Sequence, residues 1–152
     1  MGEYSTLLNG QLYFGQYPSL IQLNQLRILG VNICIDLTQT NDYQYIDKIH
    51  FPIRNKGVPS SKIAFHNLVT SLCNHIRDGK KIYIHCRHGR GRTGLLVAAL
   101  IGHCLKVDVN AAMHIVSAAY QTGNATEKSP KRLPHHHNQQ NFLKEYFRDY
   151  LK

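Results

Sequence analysis

The sequence predicts an α/β fold, with a central, mostly parallel sheet flanked by helices. Three observations carry that expectation. Short apolar runs alternate with longer stretches of helical periodicity. The run Val31–Leu37 is apolar on both faces, as a strand inside a parallel sheet requires. An apolar strand, a glycine-rich loop and an apolar helix follow one another directly between residues 81 and 105. No internal repeat or long linker divides the 152 residues, so they read as a single domain, 1–152, large enough for one core.

The elements follow in order. Leu12-Tyr13-Phe14-Gly15 is a short first strand ending in a turn. Pro18 opens a helix whose stripe of Leu20, Leu23, Leu26, Ile28 and Leu29 stops at Gly30. Val31–Leu37 is the second strand, and Thr38–Asp47 is a polar, tyrosine-rich connection whose Tyr43 and Tyr45 are expected to pack on the sheet edge, with lining of a substrate cleft as the alternative. Lys48–Ile53 is a third strand, and Arg54–Ser60 is a loop by its Asn, Gly and Pro content. Ser60 or Ser61 caps a helix with Phe65, Leu68, Val69, Leu72, Cys73 and Ile76 on one face, ended by Asp78-Gly79. Lys81–His85 is the strand before the glycine-rich loop. Thr93–Lys106 is apolar nearly all round and is expected to be buried. Asp108 caps a helix with Val109, Ala112, Ile115, Val116 and Ala119 inward; Thr122–Gln139 is polar; Gln140–Leu151 is an aromatic helix.

The formal charge of +9 comes from 18 basic and 9 acidic residues and favours anionic partners. No apolar run approaches the roughly 18 residues of a membrane span, and the first residues do not resemble a signal peptide. Cys34, Cys73, Cys86 and Cys104 form no C-x-x-C pair and no zinc spacing, which suits reduced thiols and a cytoplasmic location. Cys34, Cys73 and Cys104 lie on apolar faces and are expected to be small buried hydrophobes. The triplet His135-His136-His137 is expected to be an exposed loop rather than a metal site.

The chemistry concentrates in His85-Cys86-Arg87-His88-Gly89-Arg90-Gly91-Arg92-Thr93-Gly94. A strand-to-helix loop points backbone N–H groups at a common centre, and the helix N-terminus adds partial positive charge there. Such a centre holds a dianionic phosphate and favours a thiolate, the nucleophilic form of cysteine. Cys86 is then placed to attack phosphorus. Arg92 can hold two equatorial oxygens bidentately, better in a trigonal-bipyramidal transition state than in the ground state. Thr93 can donate a hydrogen bond to the sulfur as it leaves in the second step. Gly89, Gly91 and Gly94 allow close approach of backbone to phosphate. His85 reads as a structural residue that ties down the loop.

A cysteine separated by five residues from Arg-Thr-Gly and preceded by His resembles the cysteine-dependent phosphatases of the protein-tyrosine and dual-specificity superfamily, whose motif is His-Cys-x5-Arg-Ser/Thr-Gly. The resemblance runs from about Leu12 to Tyr150, and the length matches the small dual-specificity-like domain. It implies a dual-specificity phosphatase-like fold, hydrolysis through a phosphocysteine with no cofactor or metal, catalytic Cys86, Arg92 and Thr93, and substrate contacts from Arg87, His88, Gly89, Arg90 and Gly91. The lead substrate is phosphoprotein, phosphotyrosine first, and a monomer is expected.

The sequence also departs from the family. These phosphatases usually carry an aspartate general acid about thirty residues before the cysteine, in a loop reading roughly Pro-Ile-x-Asp-x-x-x-Pro. Here the loop is Pro52-Ile53-Arg54-Asn55-Lys56-Gly57-Val58-Pro59, so Asn55 takes the aspartate's place as a substrate-contact residue. An amide cannot protonate a leaving alkoxide, and general acid catalysis is typically worth about 10²–10⁴-fold. Three readings stay open: another acid serves, with Asp42, Asp47 and His66 nearest; the substrate needs no acid; or the domain binds phosphate and turns over poorly. The second resembles RNA 5′-triphosphatases of the superfamily, which share the pattern of Cys86, His88, Gly89, Arg92, Thr93 and Gly94 and a strand ending like Asp36-Leu37-Thr38-x-Thr40, but have Asn where Gly91 stands. Arg87 and Arg90 resemble the paired lysines of phosphoinositide phosphatases and suit a substrate with more than one phosphate; alternatively they face solvent or a local acid. Gln139 or Gln140 resembles the glutamine that positions water in a C-terminal Gln-x-x-Phe segment. Lys128, Lys131 and Arg132 could extend a basic rim.

Overall fold

The computed structural model describes residues 4–123 and 132–151. Five strands, β1 (Ser5–Leu7), β2 (Leu12–Gly15), β3 (Ile33–Asp36), β4 (Asp47–His50) and β5 (Ile82–His85), form one sheet in the order β1-β2-β5-β3-β4. Only the β1–β2 pair is antiparallel. The parallel strands are in step: His85 lies opposite both Gly15 and Asp36, and Asp36 opposite His50. Their C-terminal ends therefore share one edge of the sheet, where ligands of parallel α/β folds gather.

The period-2 alternation of each strand divides the core in two. Leu12, Phe14, Ile33, Ile35, Ile82 and Ile84 face the larger side, covered by α2 (Lys62–Arg77), α3 (Arg92–Leu105), α4 (Val109–Gly123) and α5 (His137–Tyr150). Cys34 and Tyr83 face the smaller side, with Tyr43, Tyr45 and α1 (Leu20–Ile28). The six residues expected on the inner face of α2 are all buried. Ser61 Oγ accepts from Ala64 N at its start, and Gly79, at φ +86°, follows its C-cap residue Asp78. Every residue of α3 from Arg92 to Gly102 is buried, as its all-round apolar sequence demands.

Several boundaries and faces differ from expectation. β1 has no signal in three residues, and β4 starts at Asp47 and stops before Phe51. In α1 only Leu23 and Leu26 of the expected stripe are buried. At about 100° per residue Ile28 points away from both, and it is exposed, as is Leu20. α1 is held at its start by Ser19, whose hydroxyl accepts from Gln22 N while the Gln22 side chain accepts from Ser19 N. α5 begins at His137, earlier than the aromatic pattern shows. Tyr43 and Tyr45 are buried, Tyr45 donating to Val31 O at 2.8 Å, which is the packing expected of them. No single helix among the described residues is long and apolar enough to cross a membrane.

Candidate active site

The loop of residues 86–91 leaves the C-terminal end of β5 and enters α3. Cys86 is 3% exposed, and Gly89 N donates to its sulfur at 3.3 Å. That bond curls the loop around the thiol, and it depends on glycine twice over. Gly89 has φ +82°, and a Cβ there would lie 2.7 Å from the Gly15 backbone at the end of β2. Gly91 is the N-cap of α3, so the helix begins at the loop and presents its N-terminus to it.

Arg92 is also buried, with its guanidinium fixed from three directions. Nη1 donates to Ile53 O at 3.0 Å and Leu37 O at 3.4 Å; Nη2 donates to Asn55 Oδ1 at 3.5 Å. The arginine thus joins the end of β3, the 52–59 loop and its own helix. Asn55 meets it as a neutral acceptor. Thr93 is fully buried, and its hydroxyl has no hydrogen-bond partner among the described residues.

Below the loop lies a buried relay. His85 Nδ1 faces Cys86 O at 3.2 Å and Nε2 faces the Tyr43 hydroxyl at 2.7 Å. Burial pushes the His85 pKa down to about 4, so the ring is neutral. With one ring proton, Nδ1–H donates to the carbonyl and Nε2 accepts from Tyr43 O–H. The histidine holds the Cys86 backbone, the structural part expected for it.

Above the loop is a cleft of about 380 Å³ lined by Cys86, Arg87, His88, Arg90, Gly91 and Arg92 with Asn55, Lys56, His135 and His136. All the predicted site residues except Gly89 and Thr93 line it; Gly89 meets Cys86 from within the loop and Thr93 is buried in α3. Lys56, Arg87, Arg90 and Arg92 make the lining cationic, and no carboxylate lines it among the described residues. Of the alternative acids, His66 bonds to the Tyr146 hydroxyl and Asp42 to the Tyr17 hydroxyl; neither they nor Asp47 line the cleft. Arg87 is exposed, as the solvent-facing reading expects, and stacks over the Tyr17 ring at 4.4 Å.

Sequence reasoning missed Lys56, His135 and His136 as lining residues. His135 and His137 are exposed, as expected, but the triplet is not all loop: His135 N donates to Arg90 O at 3.2 Å, and His137 starts α5. Gln139 is fully buried and donates to Gly57 O at 3.0 Å, and a Cβ on Gly91 would lie 3.2 Å from its amide. Gln139 therefore braces the 52–59 loop against the Cys86 loop, while Gln140 turns to Pro134 O. The Asp36–Thr40 segment closes on itself, Asp36 Oδ1 accepting from Thr38 N and Oγ1 at 2.9 and 2.6 Å. Arg132 is exposed, and Lys128 and Lys131 lie outside the described residues.

A cysteine whose sulfur accepts from a loop amide, a buried arginine at the same cleft and a helix that begins at the loop's end define a phosphate-handling protein. The comparisons name its family: residues 12–149 match the dual specificity phosphatase catalytic domain, and the chain belongs to that family. It is 28% identical over 163 residues to "Putative tyrosine phosphatase 067L" of Invertebrate iridescent virus 3, covering 99% of this chain and 68% of that protein. The corresponding protein 197R of Invertebrate iridescent virus 6 is 36% identical over 107 residues, covering 63% of this chain and 40% of its own length. Among solved structures, Tk-PTP in its active form superposes with a TM-score of 0.78 at 19% identity, over 95% of both chains. That likeness shows the shared fold.

Proposed function

We propose that this phosphatase hydrolyses phosphate monoesters through a phosphocysteine on Cys86, with protein phosphotyrosine as its first substrate class. The observation that carries the reading is the buried Arg92 guanidinium, pinned by Ile53 O and Leu37 O at the cleft that holds Cys86. A donor fixed before the substrate arrives needs no reorganisation as charge builds on the phosphoryl oxygens. In the first step the Cys86 sulfur forms a bond to phosphorus, and the ester oxygen departs with the bonding pair and takes a proton. In the second, water attacks phosphorus, the P–S bond breaks, and inorganic phosphate leaves with the thiolate restored. The Thr93 hydroxyl, buried without a partner among the described residues, is the group available in α3 to support the departing sulfur. Arg87, His88, Gly89, Arg90, Gly91 and Asn55 contact the phosphate and its surroundings. The protein works in the cytoplasm as a monomer on phosphorylated protein.

A second reading rests on the absence of a carboxylate among the described residues that line the cleft. Four cations and Asn55 suit a substrate with several phosphates, an RNA 5′-triphosphate or a phosphoinositide, and a pyrophosphate leaving group departs without protonation. Phosphotyrosine peptide, triphosphate-ended RNA and phosphoinositide assayed side by side rank the substrates. Rapid mixing is expected to give a burst of about one equivalent of leaving group per chain, absent in Cys86→Ser. Equal silence of wild type and Cys86→Ser on all three would instead make this a phosphate-binding module.

A further inference from the structure

We propose that Cys73 and Cys104 form a peroxide-oxidisable dithiol, a modification site separate from the Cys86 cleft. Cys73 lies on α2 and Cys104 on α3, 31 residues apart in sequence, with their sulfurs 3.6 Å apart. A disulfide bond is about 2.05 Å, so closing it moves the sulfurs together by roughly 1.5 Å. The pair opens on its own cavity of about 440 Å³, whose lining includes Leu8, Gln11, Ile76, Arg77 and Lys106 and shares no residue with the Cys86 cleft. Cys73 is 4% exposed and Cys104 only half-buried, which gives an oxidant one accessible sulfur and one shielded partner.

The two thiols are not equivalent. The hydrogen bond from Cys73 holds the Cys104 pKa below its ordinary value, with Arg77 and Lys106 adding to the effect. The same bond, followed by burial, pushes Cys73 up. Cys104 is therefore the thiolate that meets the oxidant, and Cys73 the one that resolves it. The Cys104 sulfur attacks one oxygen of hydrogen peroxide, the O–O bond breaks, and hydroxide leaves to become water. Cys73 then attacks the sulfenic sulfur; the S–S bond forms, the S–O bond breaks, and a second water departs with the Cys73 proton. Two thiols are oxidised by two electrons and one peroxide becomes two waters. The bridge ties α2 to α3, the helix that carries Arg92 at its start.

The test uses the full chain carrying Cys86→Ser, which removes the other reactive thiol, with Cys34 left in place as a buried control whose pKa burial pushes up to about 12. Brief treatment with hydrogen peroxide is expected to lower the intact mass by about 2 Da, to join the Cys73 and Cys104 peptides, and to reverse with dithiothreitol. Untreated protein is expected to bind one equivalent of a trivalent arsenical through both sulfurs, and Cys104→Ser to lose both reactions. A peroxide-treated chain whose Cys73 and Cys104 remain free, or in which either stops at sulfinic acid with no cross-link, would overturn the proposal, as would a cross-link that includes Cys34.

Discussion

Asn55 sets the chemistry apart at the scale of single residues. Its amide oxygen accepts from Arg92 where relatives of this superfamily usually place an acid, so the leaving group must find its proton elsewhere or need none. Asn55→Asp is expected to speed turnover of aryl phosphates with poor leaving groups by at least about 10-fold, while good leaving groups change little. The gain should grow below neutral pH, because Arg92 holds a neighbouring carboxylate ionised. Identical rates across the leaving-group series for variant and wild type would show that no acid is missing. Arg92→Lys keeps the charge but loses the fork that reaches Ile53 O, Leu37 O and substrate; kcat is expected to fall about 10²–10³-fold.

His85 makes a second residue-scale prediction, about stability. Its folded pKa is about 4 against an ordinary 6.5, because burial excludes the charged ring. His103 is lowered to about 4 for the same first cause. A group whose folded pKa is depressed contributes stability above its unfolded pKa and loses it as pH falls. The melting temperature is thus expected to drop as pH falls from 6.5 to 4. A flat profile through that window would contradict the neutral, buried His85.

Between elements, the contact of the Cys86 loop with the end of β2 makes a sharp contrast. A Cβ on Gly89 meets Gly15 backbone at 2.7 Å and is strained by φ +82°, and backbone cannot rotate away. The atoms nearest to a Cβ on Gly91 are those of the Gln139 side chain, at 3.2 Å. Gly89→Ala is expected to cost about 2 kcal/mol or more and to abolish the leaving-group burst, whereas Gly91→Ala should fold nearly as wild type. Thermal melts of the two variants check this directly. The α3–α5 contact is of the same kind: Gly102 admits the Phe147 ring where any side chain would collide. No sequence pattern marks Gly102 as different from Gly79, whose Cβ would meet nothing within 4 Å.

For the whole molecule, three distant segments converge on one cleft. The 52–59 loop is tied to α5 by Gln139 to Gly57 O and by Asn138 to Lys56 O, both at 3.0 Å, and to α3 by Asn55 and Arg92. Gln139→Ala is expected to loosen the 52–59 loop and raise KM several-fold while Cys86 keeps its burst; unchanged KM would mean the brace is idle. The cations gathered there predict a salt dependence: KM should rise more steeply with ionic strength for a triphosphate end or a phosphoinositide than for phosphotyrosine.

The strand-loop-helix around Cys86 was legible because its signals are local. Period-2 apolar residues in Ile82–His85, glycines at 89 and 91 and an all-apolar helix after Arg92 need only neighbours in sequence to be read. The same holds for the inner face of α2 and for the spacing that places Cys86 and Arg92 at opposite ends of one loop. β1 was invisible because three residues carry no period, and it exists only through its pairing with β2. Lys56, His135 and His136 were unreadable as site residues for a related reason: each enters the cleft only when a loop distant in sequence folds over it. The sequence by itself determined the α/β alternation, the apolar faces of the strands and helices, the loop that carries Cys86 and Arg92, and the Asn that stands where an acid is usual. Tertiary structure alone decided that Asn55 bonds Arg92 across 37 residues, that Gln139 braces the loop beside it, and that Cys73 meets Cys104. Those contacts depend on how helices seat on a sheet, and packing of side chains distant along the chain leaves no local periodicity to read.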